Sequence, residues 1–325
     1  GELPVPSTEI WVNTVGTYGI GSASYWWNRL GALIVRLILP VVGHIGLRWI
    51  LRFADDFLAI VRGSSVTMPL VATVVFIRSL GIPVKWVKFR GGRQAEWIGF
   101  YLDLEHQMVG ISDGRAAWAK AWCEKVVSDG SVCARDLRGA LGRLSFVAGL
   151  LTYVRPFLGP LFTWASVIPQ EGAVQIPAMV RFVLLWVAEK MVENARVSYG
   201  LRQTHLGELY RADAKAEGDL IVIGGWEVGG DGDPKRARWY SLQLGREDIP
   251  WAYVRGDPFR SISALELLAT LVSVMVFDPR DRCGAAGLIS LTMGGDNQSN
   301  GFTLDRMAST KYPLYLVLME LSEQM

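Results

Sequence analysis

Apolar runs separated by short polar stretches predict the elements in the early part of the chain. The apolar segment 25–39 predicts a buried helix that ends before Pro40, because proline removes a helical hydrogen bond. Residues 46–62 contain two β-rich runs on either side of Asp55 and Asp56. A two-residue connection is a favoured hairpin length, so this pattern predicts a β-hairpin with both carboxylates at its tip.

Glycine residues mark the predicted ends and turns of the elements that follow. Residues 67–81 predict a helix that ends at Gly81. Two further strands are predicted at 84–89 and 96–103, joined by a turn at the Gly-Gly-Arg sequence 91–93. The first part of the chain is therefore expected to be rich in sheet.

Helical periodicity dominates from about residue 113 to residue 198. The apolar face of one predicted helix repeats at 4-3-4-3 spacing and comprises Leu137, Leu141, Leu144, Ala148 and Leu151. Strand-like runs at 207–213 and 219–228 come next, followed by a polar stretch, more strand and an apolar helix at 261–277. The predicted order is sheet-rich, then helical, then α/β.

Composition narrows the class of protein. Apolar residues make up 50% of the 325 and charged residues 20%, which excludes a disordered polypeptide. Each long apolar run is interrupted by a charged residue or a proline, so we expect no membrane-spanning segment. The three cysteines form no CxxC pair, which favours a reducing compartment. Without a visible secretory signal, the expected location is intracellular, in the cytoplasm or nucleus.

Positive charge is concentrated near the start of the chain, although the net charge of the whole is only +2. Between Glu9 and Glu96 there are ten basic residues and two acidic ones, Asp55 and Asp56, a net charge of +8. Such a stretch is typical of a polyanion-binding surface around a metal site. A cationic solvated face with a turn at the acidic pair would show the same pattern.

The sequence Phe53-Ala54-Asp55-Asp56-Phe57 carries the strongest candidate chemistry. Adjacent acids are common by chance, but carboxylates between apolar strands need solvent or a cation, and phosphoryl-transfer sites use such acids to hold two Mg²⁺ ions. An aromatic residue, any residue and two aspartates form the signature hairpin of the reverse transcriptase family, which the sequence resembles here. The resemblance implies that Asp55 and Asp56 are catalytic metal ligands, with Mg²⁺ or Mn²⁺ as cofactor.

Other stretches resemble motifs of that family in the same order, over residues 13–155. The loop 16–23, which contains Tyr18 and Gly19, is similar to the motif B loop that supports the template and the incoming nucleotide. Lys88 lies where motif D of the family places a lysine. The resemblance implies an RNA-directed DNA polymerase, with an RNA or DNA primer-template and, in a complete palm, a dNTP as partners.

The remaining candidates for nucleic-acid binding come later in the chain. The strand around Trp97 and Gly99 resembles the primer grip of motif E, and the helix 136–151, with Arg138 and Arg143, resembles a thumb. A solvated helix face would explain these arginines equally simply. One segment interleaves cations with aromatic rings and comprises Lys85, Trp86, Lys88, Phe89 and Arg90.

One departure from the family pattern concerns its motif A aspartate, which precedes motif B. Upstream of Thr14 the acidic residues are Glu2 and Glu9, and neither has the setting of that motif. We therefore expect the sequence to begin inside the palm, and its metal site to be incomplete. Such a chain should bind primer-template without extending it, because two adjacent carboxylates cannot organise both metals.

A second set of acids lies in the last third of the chain. Asp213 follows a strand-like run, Glu266 lies in an apolar helix, and Asp296 follows a predicted strand, an order that resembles the ribonuclease H-like domain of LTR and DIRS-type retroelements. The resemblance implies that the three carboxylates converge, bind two metal ions and act on the RNA strand of an RNA–DNA hybrid. The small Ala269 and Ser273 are expected to let the helix approach the sheet closely.

Simpler explanations exist for two of these acids, since Asp213 could be a turn residue and Asp296 a helix N-cap. Glu266 is harder to explain, because a buried carboxylate needs a partner.

The sequence as a whole predicts an α+β fold in three parts. These are a partial reverse transcriptase palm (1–112), a helical thumb or connection (113–200) and an α/β ribonuclease H-like domain (201–325), with an incomplete C-terminus. The predicted function is that of a retroelement polymerase fragment. The alternative is a catalytically inactive nucleic-acid-binding remnant. The host element, the template preference and the oligomeric state stay open.

Overall fold

A computed structural model describes residues 21–62, 66–193, 195–198, 204–228, 234–277, 289–294 and 298–324. The chain mixes helices and strands, as the predicted α+β class requires. It divides into two compact units, Gly1–Gly92 and Arg93–Met325.

The first unit is a hairpin packed against two helices. Its elements are α1 (Gly21–Val42), β1 (Leu47–Phe53), β2 (Asp56–Val61) and α2 (Thr67–Ser79), with 3₁₀ turns at Gly43–Ile45 and Trp86–Lys88. β1 and β2 pair antiparallel, which confirms the predicted hairpin. The core of the unit comprises Ile34, Ile38, Val42, Leu47, Ile50 and Ile77. The predicted helix at 67–81 is confirmed as α2.

The helix α1 differs from the expected buried helix in two ways. It continues through Pro40 to Val42, because a proline so near the C-terminal end costs only one hydrogen bond in the last turns. Its buried stripe is narrow and contains Gly31, Ile34, Ile38 and Val42. The opposite face is exposed, with Trp26 65% exposed.

The second unit begins with a four-stranded antiparallel sheet and a helical region. The sheet has the order β3 (Gln94–Trp97), β4 (Phe100–Asp103), β5 (Met108–Ile111) and β8 (Arg196–Ser198). The helices are α3 (Asp113–Asp129), α4 (Ala134–Leu150), α5 (Arg155–Val167) and α6 (Ala178–Glu193). Two short strands, β6 (Ser131–Cys133) and β7 (Ala173–Gln175), pair antiparallel. The predicted apolar face of α4 is buried, which confirms its 4-3-4-3 pattern.

Two strand predictions around the boundary between the units, residues 84–103, are wrong. The segment 84–89 is not a strand and contains the 3₁₀ turn Trp86–Lys88. The hairpin turn lies at Ile98–Gly99 rather than at 91–93. Both residues of this turn have positive φ, 47° at Ile98 and 89° at Gly99, the conformation that two-residue hairpin loops favour.

The last part of the chain contains a second four-stranded sheet and three helices. In chain order the elements are β9 (Thr204–Glu217), β10 (Leu220–Glu227), β11 (Trp239–Leu244), α7 (Ile262–Val276), β12 (Ile289–Gly294), α8 (Gln298–Arg306) and α9 (Leu314–Gln324). The strand order is β11-β10-β9-β12. β9, β10 and β11 are antiparallel, whereas β12 runs parallel to β9 and follows α7 in the chain. The strand and helix predictions for this region are confirmed.

The helix α7 packs closely on this sheet. Ala269 and Ser273 are fully buried. The Tyr240 hydroxyl donates to the Ala269 carbonyl at 2.6 Å and lies 3.0 Å from Ser273 Oγ. The expected close approach at Ala269 and Ser273 is therefore confirmed.

Two helical stretches, Gly21–Ile45 and Pro258–Val276, are long and apolar enough to cross a membrane by length and composition alone. The second is 44% buried, as the core helix of a globular domain can be. The prediction that no segment spans a membrane stays a prediction.

Candidate nucleic-acid interface

The tip of the β1–β2 hairpin carries both candidate carboxylates. Phe53 pairs with Asp56 across the hairpin, so Ala54 and Asp55 form the two-residue turn. Ala54 adopts a positive φ of 51°, as the first central position of such turns often does. Asp56 is the first residue of β2, directly beside the turn. The hairpin is confirmed, but its two-residue turn is Ala54–Asp55 rather than the predicted Asp55–Asp56, so Asp56 lies at the start of β2.

The side chains of Asp55 and Asp56 are exposed. Neither makes a side-chain hydrogen bond or ion pair within the described part of the chain. Exposed carboxylate oxygens suit Mg²⁺, which keeps several waters and takes one or two carboxylates. The described residues hold no group of three or more His, Cys, Asp or Glu side chains at one place.

Helix α1 holds the backbone of this turn. Trp27 Nε1 donates to the Ala54 carbonyl at 3.1 Å. Arg52 donates to the same carbonyl and, through Nη2, to Asn28 Oδ1 at 2.8 Å. The sequence analysis missed these three side chains. Arg48 and Arg52 are the two charged residues of the otherwise apolar strand β1, and this was the available signal for Arg52.

One face of the hairpin is apolar and exposed. Trp49, Leu51 and Phe53 alternate along β1 and are 65%, 44% and 60% exposed. Ile50, between them, is buried against the helices. Because Asp56 is paired with Phe53, its side chain lies on the same face as these three residues.

The cationic candidates of the first unit lie after α2. Lys88 is exposed in the 3₁₀ turn and has no side-chain partner among the residues described. Arg90 is also exposed, and its Nη1 donates to the carbonyls of Val87 at 2.8 Å and Phe89 at 3.0 Å. Tyr18 and Gly19 lie outside the described residues.

Gly99 takes part in packing that orders the turn of the β3–β4 hairpin. Arg115 from α3 donates to the Ile98 carbonyl at 3.3 Å, and its guanidinium lies 4.0 Å from the ring centroid of Phe146 on α4. Phe146 in turn stacks on Phe100 at 4.6 Å. The turn is thereby tied to two helices.

Trp97, at the end of β3, is half-buried. Its Nε1 is buried and has no hydrogen-bond partner among the described residues. Gly99 therefore belongs to the packed turn of this hairpin, and Trp97 precedes that turn at the end of β3.

Arg138 and Arg143, the two arginines predicted to bind nucleic acid from α4, are exposed, and both contact other side chains of the chain. Arg138 donates to Gln170 Oε1 and, at 3.4 Å, to the Ala165 carbonyl. The Arg143 guanidinium lies 4.5 Å from the ring centroid of Trp118. Arg135, Arg138 and Gln170 line an open groove of about 550 Å³. This groove presents two guanidinium groups to solvent and suits an anionic ligand.

Two of the three candidate acids, Asp213 and Glu266, lie in the described part of the last region. Ala214 packs into the cluster that contains Leu265 of α7, so α7 covers the face of β9 to which Ala214 belongs. Asp213 alternates with Ala214 and is exposed, which places it on the opposite face. The expected convergence of Asp213 with Glu266 therefore needs correction. Asp296 lies outside the described residues, and a metal site that includes it stays a prediction.

Glu266 has the partner that a half-buried carboxylate requires. Asn300 Nδ2, on α8, donates to Glu266 Oε2 at 3.0 Å and also to the Ser263 carbonyl at 3.0 Å. The amide joins α8 to α7, so Glu266 contributes to helix packing.

An unpredicted pair of titratable residues lies between β4 and β5. The buried Asp103 accepts hydrogen bonds from the backbone N–H groups of Glu105 and His106, both at 2.9 Å, and from Gln94 Nε2 at 2.8 Å. His106 Nδ1 lies 2.9 Å from Asp103 Oδ2. The hydrogen bonds from His106 hold the pKa of Asp103 well below its usual range, and Asp103 raises the pKa of His106.

Comparison with known proteins gives a remote likeness. No protein-family model matches the chain, and no curated protein matches it. A solved structure of the foamy viral protease-reverse transcriptase dRH in complex with double-stranded DNA is similar, with 12% identity and a TM-score of 0.43, over 93% of this chain and 47% of that one. A second foamy viral protease-reverse transcriptase, also with double-stranded DNA, has 14% identity and a TM-score of 0.40, over 88% and 53%. The chain spans about half the length of each.

Proposed function

We propose that the chain is a nucleic-acid-binding part of a retroelement reverse transcriptase, with a palm hairpin, a helical thumb and a ribonuclease H-like domain. The observation that carries the proposal is the exposed Asp55–Asp56 pair at the tip of a two-residue hairpin between apolar strands. A turn with only a structural role does not need two adjacent carboxylates that have no partner in the described chain. A site that holds a divalent cation beside a phosphate backbone needs such carboxylates as ligands.

The last sheet supports the ribonuclease H-like part of the proposal. Its order is β11-β10-β9-β12, with β12 parallel to β9 and α7 between β11 and β12 in the chain, so it is a mixed sheet with the strand–helix–strand order that the resemblance implies. The support concerns the fold of this region. Hydrolysis of an RNA strand would need its acids to converge, which Asp213 and Glu266 do not do.

Asp55 and Asp56 are the residues that would hold Mg²⁺ or Mn²⁺ in the palm. A bound cation would neutralise phosphate charge beside the hairpin. Trp27 and Arg52 hold the backbone of the turn that carries Asp55, and Asn28 holds Arg52 in place. Two carboxylates are fewer than a two-metal site uses, so we expect nucleic-acid binding without primer extension from this chain.

Fluorescence anisotropy with a labelled RNA–DNA primer-template tests the proposal. Affinity should fall as salt rises, by a slope of about 0.9 in log K per log salt for each phosphate contacted. A titration of free Mn²⁺ by its paramagnetic resonance should detect a site that Asp55→Asn removes and that Asp219→Asn, in an exposed turn of the other unit, keeps. Absence of primer-template binding at low salt would overturn the proposal.

A catalytically inactive nucleic-acid-binding remnant is the second candidate. The observation that favours it is the position of Asp213 on the sheet face opposite α7. Both candidates bind primer-template, so hybrid cleavage separates them. Mn²⁺-dependent cleavage of the RNA strand, abolished by Glu266→Gln, would exclude the remnant. Binding without cleavage or extension would support it.

A further inference from the structure

The segment 85–90, Lys-Trp-Val-Lys-Phe-Arg, is exposed along its whole length. Trp86 is 61% exposed, Val87 78% and Phe89 49%. Exposed apolar side chains that lie together mark interaction surfaces more often than single ones do. The segment therefore qualifies as a binding surface separate from the Asp55–Asp56 turn.

The two aromatic rings of this segment lie side by side. In the 3₁₀ turn, residues three apart stand above one another, and the ring centroids of Trp86 and Phe89 are 6.4 Å apart with their planes inclined at 45°. Backbone hydrogen bonds from Lys88 to Lys85, at 3.0 Å, and from Phe89 to Trp86, at 2.9 Å, hold the turn. Arg90 adds its hydrogen bonds to the Val87 and Phe89 carbonyls. The backbone that carries the two rings is thus held by hydrogen bonds within the segment.

The charge around the rings has one sign. Lys85 and Lys88 are exposed and form no ion pair within the described part of the chain. No acidic residue occurs anywhere between Asp56 and Glu96. Aromatic faces beside unpaired lysines are the combination that binds single-stranded nucleic acid, because the bases stack on the rings while the cations contact the phosphates. Bases in a duplex are already stacked on one another and cannot use such rings.

We propose that Trp86 and Phe89 form a stacking surface for unpaired bases of a single-stranded nucleic acid, with Lys85 and Lys88 on its phosphates. The inference rests on the proposed function, and it adds the kind of strand and the residues that bind it. An anionic membrane surface could also attract aromatic and basic side chains. A six-residue segment around a single 3₁₀ turn has no amphipathic helix to insert, so the observations favour the nucleic acid.

Anisotropy titrations of the full chain test the inference, with an oligothymidylate of about 15 nucleotides and with a fully paired DNA duplex. Trp86→Ala should weaken binding of the oligothymidylate about tenfold, because the stacking of one base is lost, and should leave duplex binding unchanged. Trp86→Phe should retain most of the affinity. Trp239→Ala, which removes a tryptophan that is 74% exposed in the other unit, is the matched control and should change neither affinity.

The salt dependence of binding measures the contribution of Lys85 and Lys88 separately. Replacing Lys85 and Lys88 together with Gln should reduce the salt slope for the single strand by about 1.4, or about 0.7 for each phosphate that a lysine no longer neutralises.

Three outcomes would overturn the inference. In the first, the oligothymidylate binds Trp86→Ala and Phe89→Ala as tightly as the wild type, while duplex or primer-template binding is intact, so the proposed function survives. In the second, Trp86→Ala loses binding to phosphatidylserine vesicles but not to the oligothymidylate, which would assign the surface to a membrane. In the third, the wild type binds no nucleic acid, so the proposed function fails as well.

Discussion

A Cβ atom on Gly31 would overlap the guanidinium group of Arg52, so this side chain occupies space that glycine leaves free on α1. Arg52 needs this space to reach Asn28 Oδ1 and the carbonyl of Ala54, beside Asp55. A glycine in the middle of α1 therefore determines the position of the candidate cation-binding turn.

Gly31→Ala should displace Arg52 and destabilise the first unit by about 1 kcal/mol. Two hydrogen bonds of about 0.5–1.5 kcal/mol each are broken, and the better helix propensity of alanine offsets about 0.5–1 kcal/mol. Urea denaturation measures the loss of stability. In an Arg52→Ala background, Gly31→Ala should instead be neutral or stabilising. An equal loss of stability in both backgrounds would contradict the proposed contact.

Gly99→Ala should destabilise the second unit by more than about 2 kcal/mol. The position has a φ of 89°, and a Cβ there would lie 1.9 Å from Arg115 Nε, so the substitution adds backbone strain and also removes Arg115 from Phe146. Gly218→Ala is the control, because Gly218 has a φ of 58° and open space around it. This substitution adds only backbone strain and should lower the free energy of unfolding by about 1 kcal/mol. Thermal denaturation compares the two, and equal destabilisation would exclude a role for the Arg115 contact.

The Asp103–His106 pair should make stability depend on pH in two windows. The pKa of His106 is raised, so its contribution is complete below its usual pKa of about 6.5 and is lost as the pH rises through the raised value. The pKa of Asp103 is lowered, so its contribution is complete above about pH 4 and is lost as the pH falls through the lowered value.

His106→Gln should therefore destabilise most between about pH 4 and pH 6.5, and least in alkaline solution. Urea midpoints at several pH values measure the difference. His44→Gln, which replaces an exposed histidine of the first unit, should not reproduce this dependence. A pH-independent difference between wild type and His106→Gln would show that the pair contributes no titrating interaction.

Gly225→Ala should loosen the contact between α7 and the last sheet. A Cβ at this position would lie 2.6 Å from Ser273 Oγ and 2.8 Å from Tyr240 Cε1, and overpacking of this kind costs about 1–3 kcal/mol. The neighbouring Gly224, whose Cβ would meet only the Tyr240 carbonyl at 3.3 Å, is the matched control and should cost less. Thermal denaturation distinguishes them. If Gly224→Ala destabilises the protein more than Gly225→Ala does, α7 does not pack against Gly225 as described.

Local sequence pattern determined several features of this protein. Two β-rich runs around Asp55 and Asp56 predicted the hairpin and its acidic tip, because strand propensity and a two-residue turn are local properties. The 4-3-4-3 apolar spacing predicted the buried face of α4, since helical periodicity shows directly which residues share a face. Small residues at Ala269 and Ser273 likewise indicated a closely packed helix.

Tertiary packing decided what local pattern could not. The turn of the β3–β4 hairpin lies at Ile98–Gly99 rather than at the more glycine-rich 91–93, in a position where Arg115 and Phe146 pack against it. Asp213 lies on the exposed face of its sheet because α7 covers the face that carries Ala214, and a strand places successive side chains on opposite faces. A sequence specifies which acids are present, but which of them meet depends on which face of the sheet the helix covers, and contacts between residues far apart in the chain decide that.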